Sequence, residues 1–408
     1  MEKLIQKVVV IGHGYASRLG VIRSVAQIGC EITVIVMTGL NRDGKTLNTK
    51  TPIDCYSRYV SNVHYCHAKD AKGLIQLLLE KCIDYQQKVV IIPDSDLSAA
   101  FVDQYQEQLA DFFLFPHIHH EPGAVVKWMD KAKQKELAKK IGLNVAKACV
   151  VEIKNRQYSI PSSVSYPCYV KPMVTITGDK CLLRKCENEK ELNAVLYEAS
   201  DMADMQLLIE DFKTIDAEYA VVGFSDGRNV VIPGIIQMLI VSESRPGITL
   251  KGKVLSLSGF EEVVSKFKRF ILNIGYVGLF DFDFYKSDEK IFFCELNLRF
   301  GGSGYSMTKM GVNLPAMLVF ALTNKNLDDF PTEIHQECVF LNERLCVEDW
   351  YSGFISTKKF IALLNSHCHT FIKDLNDTRP MEVLNHEIRI KQIKKAVKGF
   401  LHPFVRNR

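Results

Sequence analysis

The fold is decided by residues 278–304, which read GLFDFDFYKSDEKIFFCELNLRFGGSG. This pattern predicts two antiparallel strands, 279–285 and 290–296, joined by a polar turn at 287–289. Successive side chains of a strand point to opposite faces, so the alternation of acidic and aromatic residues separates the hairpin into two faces. The remaining residues are largely Phe, Leu and Ile, so we expect one face to be buried and the acidic face to line a cleft.

The acidic face of this hairpin carries the groups that a hard cation requires. Asp281 and Asp283 share a face of the first strand, and Glu295 and Asn297 share a face of the second. Carboxylate and amide oxygens at adjacent strand ends are suited to Mg²⁺, which completes its coordination with phosphate oxygens and water. Arg299 follows two residues later and can pair with a phosphoryl group. The alternative is a polar face on a surface hairpin. The apolar residues of the hairpin count against it, because they indicate that the acidic face opposes a cleft, where buried carboxylates without a partner would be costly.

The N-terminal part of the chain alternates short apolar runs with helical patterns. This order predicts a parallel α/β layer, in which each apolar run is a buried strand. The predicted strands are 8–11, 32–36 and 89–92, and the predicted helices are 17–28, with its stop at Gly29, and 73–82.

A glycine-rich turn follows the first predicted strand. Gly12, Gly14 and Gly20 suggest a dinucleotide-binding turn, but the third glycine is too distant and no acidic residue ends the second strand. We therefore favour a tight strand-to-helix turn without a dinucleotide, which argues against an oxidoreductase. A second interpretation remains open, in which the amides of this turn hold a substrate carboxylate.

Periodicity divides the chain into three zones. Residues 1–120 form the predicted α/β domain, and residues 121–330 form an α+β domain that carries the chemistry. Residues 331–408 are expected to be a short terminal lid or packing element. The basic residues near the C-terminus are interpreted as a solvated face.

Composition narrows the class of protein. The chain has 408 residues, 47% hydrophobic and 24% charged, which excludes a disordered or fibrous protein. A formal charge of +4 is too small to indicate a nucleic-acid partner. No stretch predicts a signal peptide or a spanning helix, and the 12 cysteines are scattered, so we expect a cytoplasmic protein without a membrane partner.

The residues of the acidic hairpin resemble the metal-binding signature of ATP-grasp ligases. The likeness lies in Glu295-Leu-Asn297-Leu-Arg299 and the preceding Phe282-Asp283-Phe284. It implies an N-terminal Rossmann-like pre-ATP-grasp domain, an ATP-grasp domain and a short C-terminal element. It also implies Mg²⁺, or Mn²⁺ in its place, on Asp283, Glu295 and Asn297. Asp283 fits the family's hairpin length better than Asp281, but the choice between them stays open.

Motifs earlier in the chain resemble the nucleotide site of the same superfamily. Lys131 and Lys171 are similar to its two nucleotide lysines, and Glu218 is similar to the carboxylate that holds the ribose hydroxyls. The linker Glu210-Asp211-Phe212 resembles the segment that reads adenine through backbone groups, and Lys185 stands where members often carry a basic residue. These residues are therefore expected to bind ATP.

The phosphate-covering loop departs from the family pattern. It is usually glycine-rich, whereas here 173–180 contains one glycine, so Thr175, Thr177 and Lys180 are expected to cover the phosphates.

The N-terminal zone resembles the pre-ATP-grasp domain of carboxylate–amine ligases that include D-aspartate ligases.

The resemblance implies a two-step reaction. ATP phosphorylates a substrate carboxylate, and an amine attacks the acyl phosphate to give an amide, ADP and phosphate. Lys171 and Arg299 are the expected catalytic residues. Arg245, Gly301, Gly302 and Ser303 are the expected substrate contacts.

The substrates implied are a small carboxylate and an amine, with an amino acid or a cell-envelope precursor as the class. Dimers are common in the family, which makes a homodimer compatible with the sequence. Two alternatives remain open, a bicarbonate-using enzyme of the carbamoyl-phosphate synthase or carboxylase type and a non-catalytic nucleotide-binding module.

Overall fold

The computed structural model describes residues 5–13, 16–38, 51–173, 182–245, 247–366 and 368–405, with side chains described as far as residue 395. None of the helices in these ranges is long and apolar enough to cross a membrane.

The N-terminal part is a five-stranded sheet in the order β3-β2-β1-β4-β5, and all its pairings are parallel. Its elements are β1 (Lys7–Gly12), α1 (Ala16–Ala26), β2 (Glu31–Thr38), a 3₁₀ turn (Ile53–Tyr56), β3 (Val60–His67), α2 (Ala71–Lys81), β4 (Val89–Pro93), α3 (Asp96–Gln104), α4 (Gln106–Leu109) and β5 (Phe113–Leu114). The predicted parallel layer is confirmed. Helix α1 ends before the predicted residue 28, because the chain turns there and Gly29 takes a positive φ.

Among the described residues, the central part contains two sheets, of which the smaller is antiparallel and the larger is mostly antiparallel. Its elements are β6 (His117–Ile118), α5 (Ala124–Lys127), α6 (Lys131–Lys140), β7 (Asn144–Val145), β8 (Ala148–Ile153), β9 (Cys168–Pro172), β10 (Arg184–Cys186), α7 (Glu189–Met202), β11 (Met205–Asp211), β12 (Ala217–Asp226), β13 (Val230–Val231), β14 (Ile235–Val241), β15 (Thr249–Leu255), α8 (Glu261–Ile274), β16 (Tyr276–Ser287), β17 (Lys290–Asn297), α9 (Tyr305–Lys309) and α10 (Leu314–Leu322). Four strands form the smaller sheet, β10-β9-β11-β8, and the larger sheet has ten strands among the described residues.

The C-terminal part contributes strands to the larger sheet. Its elements are β18 (Cys338–Leu341), α11 (Glu343–Ser352), α12 (Thr357–Leu364), β19 (His369–Thr370) and α13 (Arg379–Val405). Strand β18 pairs with β15, and β19 pairs with β18. At the other boundary β6 pairs with β16. Hydrogen bonds of one sheet therefore cross both predicted domain boundaries, and the division at 120 and 330 stays a prediction.

The predicted hairpin is present as β16 and β17, each somewhat longer than expected. Phe280, Phe282 and Phe284 on its apolar face are all buried. They pack against helix α8, where the ring of Phe267 stacks on Phe282 at a centroid distance of 4.4 Å. This packing fixes which face of the hairpin is covered and leaves the acidic residues on the opposite face.

The carboxyl end of the N-terminal sheet holds a buried group of charges. Strands β1 and β4 are neighbours although they are not consecutive, so the strand order reverses between them, where doubly wound sheets bind ligands. Here Arg18 Nε lies 2.5 Å from Asp54 Oδ2 and 4.0 Å from Asp94 Oδ2. Neither carboxylate oxygen of Asp94 has a hydrogen-bond partner.

Replacing Asp94 with asparagine is expected to raise stability at neutral pH more than in acid. Burial raises the pKa of Asp94 to about 6, despite the opposing charge of Arg18. Because the pKa of Asp94 is higher in the folded protein, folding favours the protonated carboxyl. The stability that comes from the protonated carboxyl is fully present below pH 3.8 and is lost as the pH rises through about 6. The stability advantage of Asp94→Asn over wild type should therefore grow by more than about 1 kcal/mol between roughly pH 5 and 8. Urea unfolding at both pH values measures this change, and a constant difference would contradict it.

Candidate active site

The acidic face of the hairpin brings four polar side chains together. In the register of β16 and β17, Asp281 lies opposite Asn297 and Asp283 lies opposite Glu295. The side-chain nitrogen Nδ2 of Asn297 lies 3.4 Å from Asp283 Oδ2. These four residues occupy one end of the hairpin, as the sequence predicts.

The carboxylates of this face have strongly perturbed acidities. Burial, together with Asp281 and Glu295, raises the pKa of Asp283 well above its usual range. Burial also raises the pKa of Asp281 to about 6, although Arg299 opposes this. Burial acts in the same direction on Glu295, but the ammonium of Lys131 at 2.9 Å outweighs it and the pKa of Glu295 falls to about 2. Burial and the mutual repulsion of the carboxylates therefore disfavour full ionisation of Asp281 and Asp283, and a bound cation would oppose this effect.

The donor set of this cluster fits a hard divalent cation. Asp283, Glu295 and the side-chain oxygen of Asn297 supply oxygen ligands, and Oδ1 of Asp281 is buried without a hydrogen-bond partner. Within the described ranges, no group of three or more His, Cys, Asp or Glu side chains is arranged to hold a metal ion. A cation at this cluster would therefore need ligand or water oxygens to complete its coordination.

Helix α6 holds a lysine against the hairpin. Asp130 caps the helix by accepting a hydrogen bond from Lys133 N at 2.9 Å, which places Lys131 in the first helical position. The side chain of Gln134 donates to Leu296 O at 2.8 Å and accepts from its amide at 2.9 Å. These two bonds fix the position of the helix relative to β17, and the lysine reaches Glu295 as a result.

A second lysine approaches the site from strand β9. The ammonium of Lys171 lies 2.7 Å from Glu210 Oε2, and Lys135 of helix α6 lies 2.6 Å from the other oxygen. Burial would raise the pKa of Glu210, but these two lysines lower it below its usual range. Lys171 Nζ is also 3.6 Å from Cys294 Sγ, next to Glu295. One buried carboxylate thus pairs with two ammonium groups beside the hairpin.

The adenine segment differs from its expected form. Glu210 was predicted to offer backbone groups, but it lies within β11, where it pairs with strands on both sides, and its side chain is the lysine partner. The amides of Asp211 and Phe212 donate to Lys147 O and Pro167 O, at 2.9 and 3.0 Å. Because the strand continues further than expected, these two amides are already bonded within the protein.

Glu218 and Lys185 were also predicted to contact the nucleotide, and they lie on different strands, β12 and β10. Glu218 is half-buried on β12, opposite Tyr285 of β16, and burial raises its pKa. The ammonium of Lys185 lies 4.2 Å from the ring centroid of Phe212 and 2.7 Å from Glu187. Both positions are compatible with the predicted nucleotide contacts, which stay predictions.

Arg299 is held by an acid from the N-terminal sheet that the sequence analysis did not include among the site residues. Its Nε donates to Asp96 Oδ1 at 3.0 Å, and its Nη1 lies 3.8 Å from Asp281 Oδ2. Asp96 begins helix α3 directly after β4, at the carboxyl end of the parallel sheet. Its position at this edge is the signal that could have identified it.

The glycines after Arg299 differ in what surrounds them. A Cβ on Gly301 would lie 2.6 Å from Asp281 Oδ2 and 2.9 Å from Val222, closer than real contacts allow. A Cβ on Gly302 would meet nothing within 4 Å. Ser303 is largely buried, and its carbonyl accepts a hydrogen bond from the Ser306 hydroxyl at 2.7 Å.

Replacing Gly301 with alanine should impair the site, whereas the same change at Gly302 should have little effect. The added methyl group at 301 must displace the Asp281 carboxylate or strand β12. Displacing either group is expected to lower the rate of ATP turnover by about 10²-fold. Steady-state turnover of the two variants tests this, with circular dichroism to verify folding. Equal activities of Gly301→Ala and Gly302→Ala would contradict it.

The remaining predicted contacts are Arg245, which pairs with helix α11, and residues that lie outside the described ranges. Arg245 Nε donates to Glu348 Oε2 of α11 at 2.6 Å, and Arg344 Nε donates to the other oxygen at 3.0 Å. The substrate role of Arg245 stays a prediction. Gly14 and most of the phosphate-covering loop, including Thr175, Thr177 and Lys180, lie outside the described residues.

Lys135 and Cys294 were not predicted as site residues. Lys135 follows Lys131 by four residues and so lies on the same helix face, which is a usable signal. Cys294 precedes Glu295 in a strand, where alternation would have placed it on the opposite face. A register irregularity between Asp283 and Phe284 in the pairing of β16 with β17 breaks this alternation.

Sequence comparison matches the part of the chain that carries this site to a known domain family. Residues 130–315 match the family model described as carbamoyl-phosphate synthase L chain, ATP binding domain. A carbamoyl phosphate synthase large chain from Clostridium acetobutylicum is 24% identical over 243 residues, which is 55% of this chain and 22% of that protein. The chain thus spans about a fifth of the length of this curated relative.

Three solved structures share the fold. An N5-carboxyaminoimidazole ribonucleotide synthetase bound to ADP has a TM-score of 0.62 at 15% identity and covers 83% of this chain and 82% of its own. An L-amino acid ligase from Bacillus licheniformis has a TM-score of 0.58 at 16% identity, with coverages of 83% and 80%.

The third structure is the biotin carboxylase domain dimer of a 2-oxoglutarate carboxylase from Hydrogenobacter thermophilus, with MgADP, ADP and bicarbonate. It has a TM-score of 0.61 at 20% identity and covers 83% of this chain and 74% of its own. At such identities the likeness shows the fold alone, and it confirms the predicted combination of α/β and α+β parts.

Proposed function

Because residues 130–315 form an ATP-grasp domain, we propose that the protein is an ATP- and Mg²⁺-dependent carboxylate–amine ligase. The observation that supports this most strongly is the carboxylate cluster of the hairpin, which lies beside two largely buried lysines and an arginine. The narrower likeness to D-aspartate ligases stays a prediction.

In this proposal each charged group has a distinct task. Asp283, Glu295 and Asn297 hold Mg²⁺, and Asp281 instead supports Arg299, because it contacts Gly301 and lies 3.8 Å from the guanidinium. When bound, Mg²⁺ neutralises negative charge that builds on the phosphates. Lys131 and Lys171 bind phosphate oxygens of ATP, and the remaining nucleotide contacts are Lys185, Glu218 and the segment 210–212.

The proposed reaction has two steps. A carboxylate oxygen of the substrate attacks the γ-phosphorus of ATP, the bond to ADP breaks, and an acyl phosphate forms. The amine nitrogen then attacks the acyl carbon, phosphate leaves, and the nitrogen loses a proton. Arg299 is placed to stabilise the phosphoryl oxygens in both steps, because Asp96 and Asp281 hold its guanidinium in position. No side-chain nucleophile is required.

The class of acid proposed is an amino acid or a cell-envelope precursor. An ADP-release assay with ATP and Mg²⁺ tests this on a panel of L- and D-amino acids, short peptides and envelope precursors, with Glu295→Ala as the inactive control. Release that depends on one acid–amine pair and is absent from the variant supports the ligase. Binding of Mg·ATP without turnover on any pair would favour a nucleotide-binding module, and absence of Mg·ATP binding would refute the proposal.

A second candidate is an enzyme that uses bicarbonate as its acid. It is favoured by the family match to carbamoyl-phosphate synthase and by the fold shared with a carboxylase domain bound to bicarbonate. The same assay distinguishes it, since ADP release would then require bicarbonate. Depleting the buffer of carbon dioxide would abolish turnover by this enzyme and leave a carboxylate–amine ligase unaffected.

A further inference from the structure

The long C-terminal helix α13 reverses its amphipathic character along its length. In its first half, Leu384 is fully buried and Ile388 packs against the C-terminal core. Continuing along the same helix face, the next two positions are Lys391 and Lys395, both half-buried. The face that contacts the protein therefore changes from apolar to cationic.

The lysines of this face bind the neighbouring helix α11. The ammonium of Lys395 donates to Trp350 O and lies 4.4 Å from the centroid of the Trp350 ring. The ammonium of Lys391 lies 4.8 Å from the centroid of the Tyr351 ring. Cation–π contacts of this kind hold the second half of the helix with its cationic side inward.

The apolar side chains of Ile390 and Ile393 consequently face away from the protein. Ile390 and Ile393 are 37% and 64% exposed. The sequence continues their spacing of three and four residues through Val397, Phe400 and Phe404. A stripe of this length is unfavourable in water, so it indicates a surface that another apolar phase covers.

Cations flank this stripe on both sides. Arg389 and Lys394 are exposed, and helical geometry places them about 70° to either side of the line through Ile390 and Ile393. Residues 388–408 contain seven Lys and Arg and no Asp or Glu. A second copy of the chain would bring the same positive charge to the contact, whereas an anionic lipid surface offers both an apolar phase and opposite charge.

We propose that the second half of α13 docks on an anionic membrane surface. The helix lies in the interface with Ile390 and Ile393 toward the acyl chains and with Arg389 and Lys394 at the headgroups. This differs from the expectation of no membrane partner, which rested on the absence of a spanning helix, and from the interpretation of the basic residues as a solvated face. It is independent of the proposed ligase reaction.

Vesicle co-sedimentation of the full chain tests this proposal. We expect binding to vesicles of phosphatidylcholine and phosphatidylglycerol, little binding to phosphatidylcholine alone, and a decrease with added salt. Ile393→Glu should lower the partition coefficient by at least about tenfold, and Lys394→Glu by at least about fivefold. Leu272→Glu is the matched control, because Leu272 is an exposed apolar residue of the distant helix α8.

Three outcomes would overturn the proposal. The first is no binding to anionic vesicles, and the second is binding that Ile393→Glu weakens no more than Leu272→Glu does. The third is a dimer, seen by sedimentation velocity without lipid, that Ile393→Glu dissociates while vesicle binding is unchanged, since a second copy would then cover the stripe. Equal thermal-unfolding midpoints of the variants exclude misfolding as the cause of any loss.

Discussion

Glu295→Gln is expected to lower the rate of ATP turnover by about 10³-fold while leaving the fold intact. The substitution keeps the size of the side chain and removes its charge. Glu295 lies opposite Asp283 in the hairpin register and 2.9 Å from the Lys131 ammonium, so loss of its charge affects both the proposed cation and the lysine proposed to bind phosphate. Its pKa of about 2 means that wild-type Glu295 is ionised throughout the neutral range.

The matched control is Glu136→Gln, on the helix that carries Lys131. Glu136 forms an exposed pair with Lys140 at 2.7 Å, where loss of the charge should change little. Turnover is measured as ADP release, and calorimetric titration with ATP, with and without Mg²⁺, shows whether the Mg²⁺-dependent part of nucleotide binding is lost. A turnover rate for Glu295→Gln within tenfold of that for Glu136→Gln would contradict the assignment of Glu295.

Local sequence pattern predicted the parts of the site that depend on local geometry. Alternation within 279–285 placed both aspartates on one face, and the structure shows Asp281 and Asp283 there, paired with Asn297 and Glu295. The start of helix α6 is equally local, because Asp130 caps it by accepting a hydrogen bond from Lys133 N. Both features follow from the period of a strand or a helix, which a short stretch of sequence contains.

Pairings between distant charges could not be predicted in the same way. Asp96 and Arg299 are 203 residues apart, and nothing in either local stretch identifies the other as its partner. The adenine contact expected of Glu210 stays a prediction, and the position of Glu210 within β11 could not be predicted for a related reason: its segment is equally compatible with an open linker and with a central strand. The strands on both sides of β11 decide between the two, and they come from other parts of the chain.

Asp377→Asn is expected to destabilise the protein by about 3–5 kcal/mol, because it removes one partner of a buried ion pair. Asp377 is 1% exposed and accepts three hydrogen bonds from the N-terminal part of the chain. Arg23 Nε donates at 2.9 Å, the Ser57 hydroxyl at 2.8 Å and the Arg58 amide at 2.9 Å. An asparagine cannot accept from all of them, since its NH₂ group would face a donor, and the buried guanidinium of Arg23 would lose its counter-charge.

The same guanidinium also binds the C-terminal backbone, so the effect should spread beyond one contact. Arg23 donates to Phe371 O at 2.8 Å and to Ile372 O at 2.9 Å, which ties helix α1 to the segment that follows β19. Asp374→Asn is the matched control, because Asp374 pairs with Lys309 at a partly exposed site where the loss should be about 1 kcal/mol or less. Urea unfolding of the two variants and wild type gives both free-energy changes. If Asp377→Asn destabilises the protein no more than Asp374→Asn, the connection between the first helix and the C-terminal segment contributes little to stability.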